Sequence, residues 1–431
     1  MTGVLAMRRA LVRPVARIFI ARCGGQVAVA ALFVVLPLVF RSGTALTMMS
    51  LMGISIVFAL SYNVLLGQTG LLSFGHAVYF GLGAYFAVHC MNAVITGGLP
   101  VPLPVIPLAG GLGGLAFAIV FGWVSTKRSG TAFAMISLGL AELVGSSSLI
   151  LRSFFGGEEG VTTDRTRLPR LFGMGFGQQI EVYYLIAAWC LLCMFLMYGL
   201  TRTPLGRMCN AVRDNAERVQ FVGYNPQVVR FLAFCASGFF AGIAGGLAAI
   251  HFEIANSAYF SATQSGNVLL ATFIGGSGYF FGPVIGAVLV SYLQIMLSDF
   301  TEVWQLYFGL LFIAMVMFAP QGIAGLLMMH RPLWSKRSLP KVAAAYAVAL
   351  PPALVMLTGV ALVIEMTYRL AVKAADGPDM TFFTVPLAAN HLLAWLSAGT
   401  LMAGGFALFR LTWPVVAAAW ASAEFRKEQP R

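Results

Sequence analysis

The sequence predicts an all-α polytopic membrane protein, with about ten core transmembrane or re-entrant helices followed by a two-helix C-terminal hairpin. Three observations predict it. Hydrophobic residues fill 59% of the 431 positions and charged residues only 10%, against about 25% charged in a soluble domain. The mean hydropathy is +0.85. The 27 Lys and Arg and 15 Asp and Glu gather in short clusters between apolar runs, each near the ~20 residues that cross a bilayer. Too little polar surface remains to cover a water-soluble globule. This excludes a soluble enzyme, a nucleic-acid-binding module and a disordered scaffold.

The elements follow in order. Residues 1–26 form a basic arm with Arg8, Arg9, Arg13, Arg17 and Arg22 and no acidic residue. The run 27–40 leaves through LVFRSG, without a small-x-small cleavage site, so it reads as a retained first span with a cytoplasmic arm. Further spans are expected at 46–66, 74–93, 104–125, 133–151, 180–200 and 228–250. Counted from a cytoplasmic N-terminus, they place Lys127 and Arg128 inside and the loop 152–179 outside. Arg202, Arg207, Arg213 and Arg218 then fall inside. The run 312–329 must also end inside, because Arg331, Lys336, Arg337 and Lys341 follow it. The chain is therefore already outside near Asp299 and Glu302, and the run 267–297 has to enter and return. Its middle, IGGSGYFFGPVIG, offers the glycines and Pro283 that a broken or re-entrant helix uses. A similar Gly-rich stretch, GQTGLLSFGHAVYFGLGA, occupies 67–84. Two such breaks point to an internal repeat and a central pathway. The core is thus 27–330, a basic linker occupies 331–341, and 342–431 forms an appended hairpin and tail, expected to be dispensable for transport.

Several residues stand out chemically. Glu142, in SLGLAELVGSSS, lies at mid-span, where a carboxyl is costly unless it faces the bundle interior or water; it reads equally as a pathway group or a structural hydrogen bonder. His76, beside Gly75 in the first break, has no second ligand in sequence and reads first as a packing residue supporting a kink. Asn63 and Gln68 flank the same break. The loop 201–227, TRTPLGRMCNAVRDNAERVQFVGYNP, differs from every other. From 207 to 221 it has helical composition without a breaker, with Asp214 and Arg218 at i,i+4 spacing and Gly206 and Gly223 at its ends. It also carries Val212, Val219 and Phe221, which a cytoplasmic partner would receive. Cys190 and Cys193 read as packing residues. No lysine sits in a phosphate-binding GxxxxGK[ST] pattern, and no HExxH or GxSxG occurs. Any energy for transport must come from an ion gradient or another subunit.

The stretches SYNVLLGQTGLLSFGHAVYFGLGAY, FAMISLGLAELV, FFGGEEGVT, TPLGRMCNAVRDNAERVQFVGYN, FIGGSGYFFGPVIGAVL and YFGLLFIAMVMFAPQGIAGLL resemble the permease subunits of branched-chain amino acid ABC importers. The resemblance runs in order over residues 46–327. It implies a bacterial inner-membrane permease for leucine, isoleucine and valine; permeases for urea, short amides or aromatic acids look similar. It implies a second homologous permease, two cytoplasmic ATP-binding subunits and a periplasmic solute-binding protein. ATP and magnesium would sit on those partners, with no cofactor on this chain. Gly206, Arg207, Arg213, Asp214 and Gly223 would dock on an ATPase, with Val219 and Phe221 as apolar contacts. Gly75, His76, Glu142 and the break Gly275, Gly276 and Gly278 would border the pathway. A secondary transporter would need more intramembrane carboxylates than Glu142 alone. A membrane-embedded enzyme would need a nucleophile–base pair that the sequence lacks.

Overall fold

The computed structural model describes residues 31–98, 100–169, 175–334, 339–374, 377–382 and 385–425. The basic arm, the start of the first run, Lys336, Arg337 and the last residues of the tail lie outside these. Among the described residues nine helices are long and apolar enough to cross a membrane, or up to ten if one bent pair counts as a span. The chain divides into two compact units: one of residues up to Asp299 with Leu310–Gly325, the other of Phe300–Gly309 with Leu326 onward.

In the first unit, helical residues 31–39 precede α1 (Gly43–Thr69), α2 (Ala77–Gly97), α3 (Ile106–Ser125) and α4 (Thr131–Ile150). Then come α5 (Gln179–Arg202), two short helices, α6 (Pro204–Asp214) and α7 (Ala216–Phe221), and the long α8 (Pro226–Phe252). The helices α9 (Ala262–Gly275) and α10 (Gly282–Phe300) follow. α8 is central, packed on α1, α2 and α3. Its Gly238, Gly242 and Gly246 repeat every four residues and face Gly110, Gly114 and Ala118 of α3. A Cβ on Gly242 would stand 2.3 Å from the Gly110 carbonyl oxygen, and one on Gly245 only 1.8 Å from that of Phe80 in α2. Small residues are what let membrane helices approach backbone to backbone.

Two segments break the helical pattern at depth. The expected span 74–93 starts late: helix α2 begins at Ala77, and Leu71 to Gly75 belong to no helix. Backbone polar groups inside a bilayer need protein partners, and this segment finds them. Phe74 N–H donates to Ser137 Oγ at 3.0 Å, Ala77 N–H to Ser265 Oγ at 3.2 Å, and the Ser73 carbonyl accepts from Tyr62 at 3.1 Å. The second break separates α9 from α10, so the run 267–297 is bent, as its glycines and Pro283 predict. Gly276 holds φ +105° there, and a Cβ on Gly286 would fall 1.8 Å from the Ala271 carbonyl oxygen. The two breaks also meet, for a Cβ on Gly67 would lie 2.6 Å from the Ser277 carbonyl oxygen.

The expected span 312–329 is broken in the structure. It divides into α11 (Trp304–Phe318) and α12 (Gly322–Trp334), bent by 44°. Pro320 cannot continue the first helix, and Gly322 takes φ +67° with its Cα side closed off by Gly276.

At the other end of the bundle from α6, residues 161–167 are tied down. Arg165 donates to the Ile250 and His251 carbonyls at 3.1 and 3.2 Å and pairs with Glu253 at 3.2 Å. A cation on the last carbonyls of α8 suits the negative helix end. Strand β1 (Val161–Thr162) pairs antiparallel with β2 (Ile254–Ala255) beside it.

In the second unit α13 (Leu339–Ala371) and α14 (Leu392–Phe425) pack along each other, joined by the antiparallel strands β3 (Asp379–Phe382) and β4 (Val385–Ala388). A Cβ on Gly405 would sit 2.4 Å from Met356 N and one on Gly359 2.5 Å from Met402 N, so the pair is close. The unit also takes in the turn at Phe300–Gly309. Thr301 and Tyr307 both donate to Glu365 Oε1, at 2.7 and 3.1 Å, while Tyr368 and Lys373 donate to Glu302 at 2.8 and 2.6 Å. The Lys373 and Tyr368 hydrogen bonds hold the Glu302 carboxyl below the usual carboxylate range.

Two outcomes follow from this packing. Gly276→Leu should destabilise the fold, since a side chain at that φ alone costs ~1–3 kcal/mol, whereas Val288→Leu on an exposed turn of α10 should not; thermal unfolding in detergent separates them. Glu365→Leu removes the partner of two hydroxyls and should cost about 1–3 kcal/mol. A chain ending near Lys341 should show the same loss, read as a lowered Tm.

Candidate functional site

The loop that closes the basic end of α5 is folded on itself. Thr203 caps α6, its Oγ1 accepting from Gly206 N–H at 3.3 Å, with Pro204 in the first turn. A Cβ on Gly206 would fall 2.5 Å from the Leu200 carbonyl oxygen, so glycine lets α6 turn back against α5. Cys209, Val212 and Val219 bury against Val229 and Ala233 of α8. Arg213 donates to the Gly67 carbonyl in the last turn of α1 and pairs with Asp214 at 3.3 Å. At its far side Gly223 takes φ +90°, and Tyr224 N–H closes onto the Val219 carbonyl at 3.1 Å. What remains outside is an apolar tip: Phe221 is 89% exposed and Val222 73%.

Three expectations are corrected here. Residues 207–221 are not one helix, because Asn215 leaves helical geometry (φ −161°, ψ 104°) and its Oδ1 accepts from Arg218 N–H at 3.0 Å to start α7. Asp214 and Arg218 therefore do not form an i,i+4 pair along a continuous helix, and Asp214 turns to Arg213 instead. Val219 is buried inside the chain's own cluster with Val212, so neither side chain is available to a partner. Gly206 and Gly223 shape the loop, and Arg213 seats it. Arg207 stays exposed. Val222 is the residue that sequence reading missed; its signal was an apolar pair, Phe221–Val222, immediately before a turn glycine.

The expected pathway residues divide. His76 is 1% exposed, its ring stacked on Phe58 (centroids 5.3 Å) and edge-on to Tyr62 (5.1 Å). Ser61 Oγ gives its proton to the Phe58 carbonyl at 2.7 Å, so His76 Nε2–H donates to Ser61 Oγ at 2.9 Å. A Cβ on Gly75 would stand 2.1 Å from the Ser137 carbonyl oxygen. Both residues are packed between helices and pin the non-helical segment to α1 and α4. Gly275 and Gly276 are likewise buried in the tight turn, while Gly278 is exposed with open space around it. Glu142 stands on the exposed face of α4 with Met135 (74% exposed) and Leu138 (41%). Among the described residues no three His, Cys, Asp or Glu side chains are placed to hold a metal.

Residues 44–320 match the family described as branched-chain amino acid transport system, permease component. This chain belongs to that family. It is 29% identical over 330 residues to the high-affinity branched-chain amino acid transport system permease protein LivM of Escherichia coli K12, covering 71% of this chain and 75% of that one. It is 22% identical over 287 residues to the corresponding protein LivH of Salmonella typhimurium, covering 62% and 90%. A probable branched-chain amino acid transport permease protein LivM of Methanocaldococcus jannaschii is 23% identical over 319 residues, covering 63% and 90%. No solved structure matches.

The family stretch holds every helix from α1 to α10 and the whole loop 201–227, so the permease is a multi-pass membrane protein with this loop as part of its shared body. α13, β3, β4 and α14 lie beyond it. The loop's buried base and exposed tip should answer differently to charge. Val219→Asp places an unpaired carboxylate in the cluster, costing about 2 kcal/mol or more, and should expose the loop's arginines to trypsin. Phe221→Asp should leave the digestion pattern of the permease unchanged.

Proposed function

We propose that this chain is an inner-membrane permease subunit of an ATP-driven importer for leucine, isoleucine and valine, with its loop 201–227 on the cytoplasmic side. Its partners are a second, related permease, two ATP-binding subunits that carry ATP and magnesium, and a separate solute-binding protein. The observation that carries this reading is the loop itself: a self-packed base seated on α1 and α8, presenting an apolar tip at the polar end of a membrane bundle. A solvated loop has no reason to display Phe221 and Val222 on a rigid base; a cleft in an ATPase subunit does. Membership of a family of branched-chain amino acid permeases supports the solute class.

The translocation route runs along the exposed face of α4. A carboxyl midway along a membrane-length helix, flanked by exposed Met135 and Leu138, is costly against lipid. Covering by the second permease, with a wet route between the two, removes that cost. Alternating access then follows from ATP-driven movement of the loop, passed to α1 through Arg213 and to α8 through Val219 and Val229.

Coupling is tested at the tip. Truncating a buried aromatic anchor typically costs ~2 kcal/mol or more, about thirtyfold in affinity. Phe221→Ala with Val222→Ala should leave membrane insertion intact, release the ATPase subunits and abolish solute-stimulated ATP hydrolysis. Arg331→Glu, another exposed basic position, should do neither. Full ATPase retention and uptake in the double variant would remove the basis of the coupling assignment.

A further inference from the structure

One cleft at the basic end is not used by the coupling tip. It encloses about 330 Å³ and is bordered by Gln68 at the end of α1, Tyr198 and Arg202 in the last turns of α5, Arg207 and Asn210 on α6, and Phe280 in the turn after α9. The Arg202 guanidinium lies over the Tyr198 ring, 5.0 Å from its centroid, and donates to the Tyr198 hydroxyl at 2.7 Å. That leaves most of its five donors unused. Among the described residues Arg207 forms no ion pair, and no carboxylate borders the cleft.

The position of the cleft says what kind of anion reaches it. Helix α5 is long and apolar enough to span a membrane, and Leu192, Phe195 and Leu196 are exposed on it at 45%, 58% and 45%. Three- and four-residue steps carry that apolar stripe through Gly199 to Arg202, where the helix ends. The two arginines therefore stand where lipid-facing surface gives way to polar loop, at headgroup level. Basic pockets between helices at that level suit anionic headgroups, and guanidinium groups bind phosphate in bidentate fashion.

We propose that the cleft binds the phosphate of an anionic phospholipid, held by Arg202 and Arg207 with the Asn210 amide, its acyl chains lying along Leu192, Phe195 and Leu196. Because Arg202 belongs to α5 and Arg207 to α6, the bound headgroup steadies the loop against the helix it follows. The site depends only on the chain being embedded in a membrane, not on which solute or ATPase it serves.

The test uses the full chain purified in neutral detergent, with dioleoylphosphatidylglycerol, dioleoylphosphatidylcholine or inorganic phosphate added at equal concentration. Retained lipid is read by native mass spectrometry and stability by Tm. Phosphatidylglycerol should be retained and should raise Tm, while the other two should not. Arg202→Gln with Arg207→Gln should lower retention about tenfold or more, and Asn210→Asp, which spares the Arg202–Tyr198 contact, should lower it as well. Lys127→Gln with Arg128→Gln removes the same charge at the same end of the bundle and should retain the lipid. Equal loss in that control shows diffuse attraction and overturns the site. So does full retention by either cleft variant, or an equal rise in Tm with inorganic phosphate.

Discussion

The backbone contact between α8 and its neighbours is the constraint on which the rest of the permease depends. In a bilayer, lipid is as apolar as leucine, so helices gain little from burying apolar side chains against one another. They associate through close packing instead. Gly238, Gly242, Gly245 and Gly246 give α8 a surface without side chains on which the Gly110–Gly114 step of α3 and the Phe80 and Gly83 turns of α2 can rest. Any added carbon there meets backbone atoms, which cannot move aside as a flexible side chain can. With α8 fixed, α1, α2 and α3 are fixed around it, and both non-helical segments have walls to lie against.

Those segments carry polar backbone through the membrane-embedded body, and serines make this possible. Ser137 and Ser265 receive the N–H groups of Phe74 and Ala77, and Ser61 holds His76 on one side while its carbonyl accepts from Ser237 at 2.6 Å on the other. A side chain small enough for a crowded interface and able to bond a stray backbone group fits nowhere better. His76 thus contributes to architecture. Glu142, by contrast, stands on the exposed face of α4, outside the chain's own core.

The same economy of contacts links the polar end to the body. Arg213 satisfies a carbonyl at the end of α1, where the helix has run out of N–H partners, and brings a positive charge to a negative helix end. Val219 reaches α8 through Val229. The loop is therefore anchored to the two helices that organise the bundle, and its tip is free. The second unit repeats the theme on a smaller scale. α13 supplies Glu365 and Tyr368, and Lys373 follows it, to the turn Thr301–Tyr307, inside the family stretch, so the residues beyond that stretch share a compact unit with part of it.

The sequence by itself determined the class, the membrane-length helices and the bend between α9 and α10, because hydropathy and Gly–Pro content act locally and follow position along the chain. It also marked the loop 201–227 as unlike the others. It did not determine which side of each element faces inward, since that depends on neighbours hundreds of positions away. Val219 and Phe221, two residues apart, carry the same apolar signal; packing against Val229 buries one and leaves the other in the open. Composition continues one helix through Asn215, yet the Asn215 side chain caps a second one, and Cys209 and Val219 both bury against α8. For His76 and Gly75 the sequence marks only a glycine-rich break with a residue that supports a kink. Ser61 and Ser137, 15 and 62 positions away, made that break a packed joint. Local composition decides where a chain can bend, but only the surrounding helices decide what the bend touches.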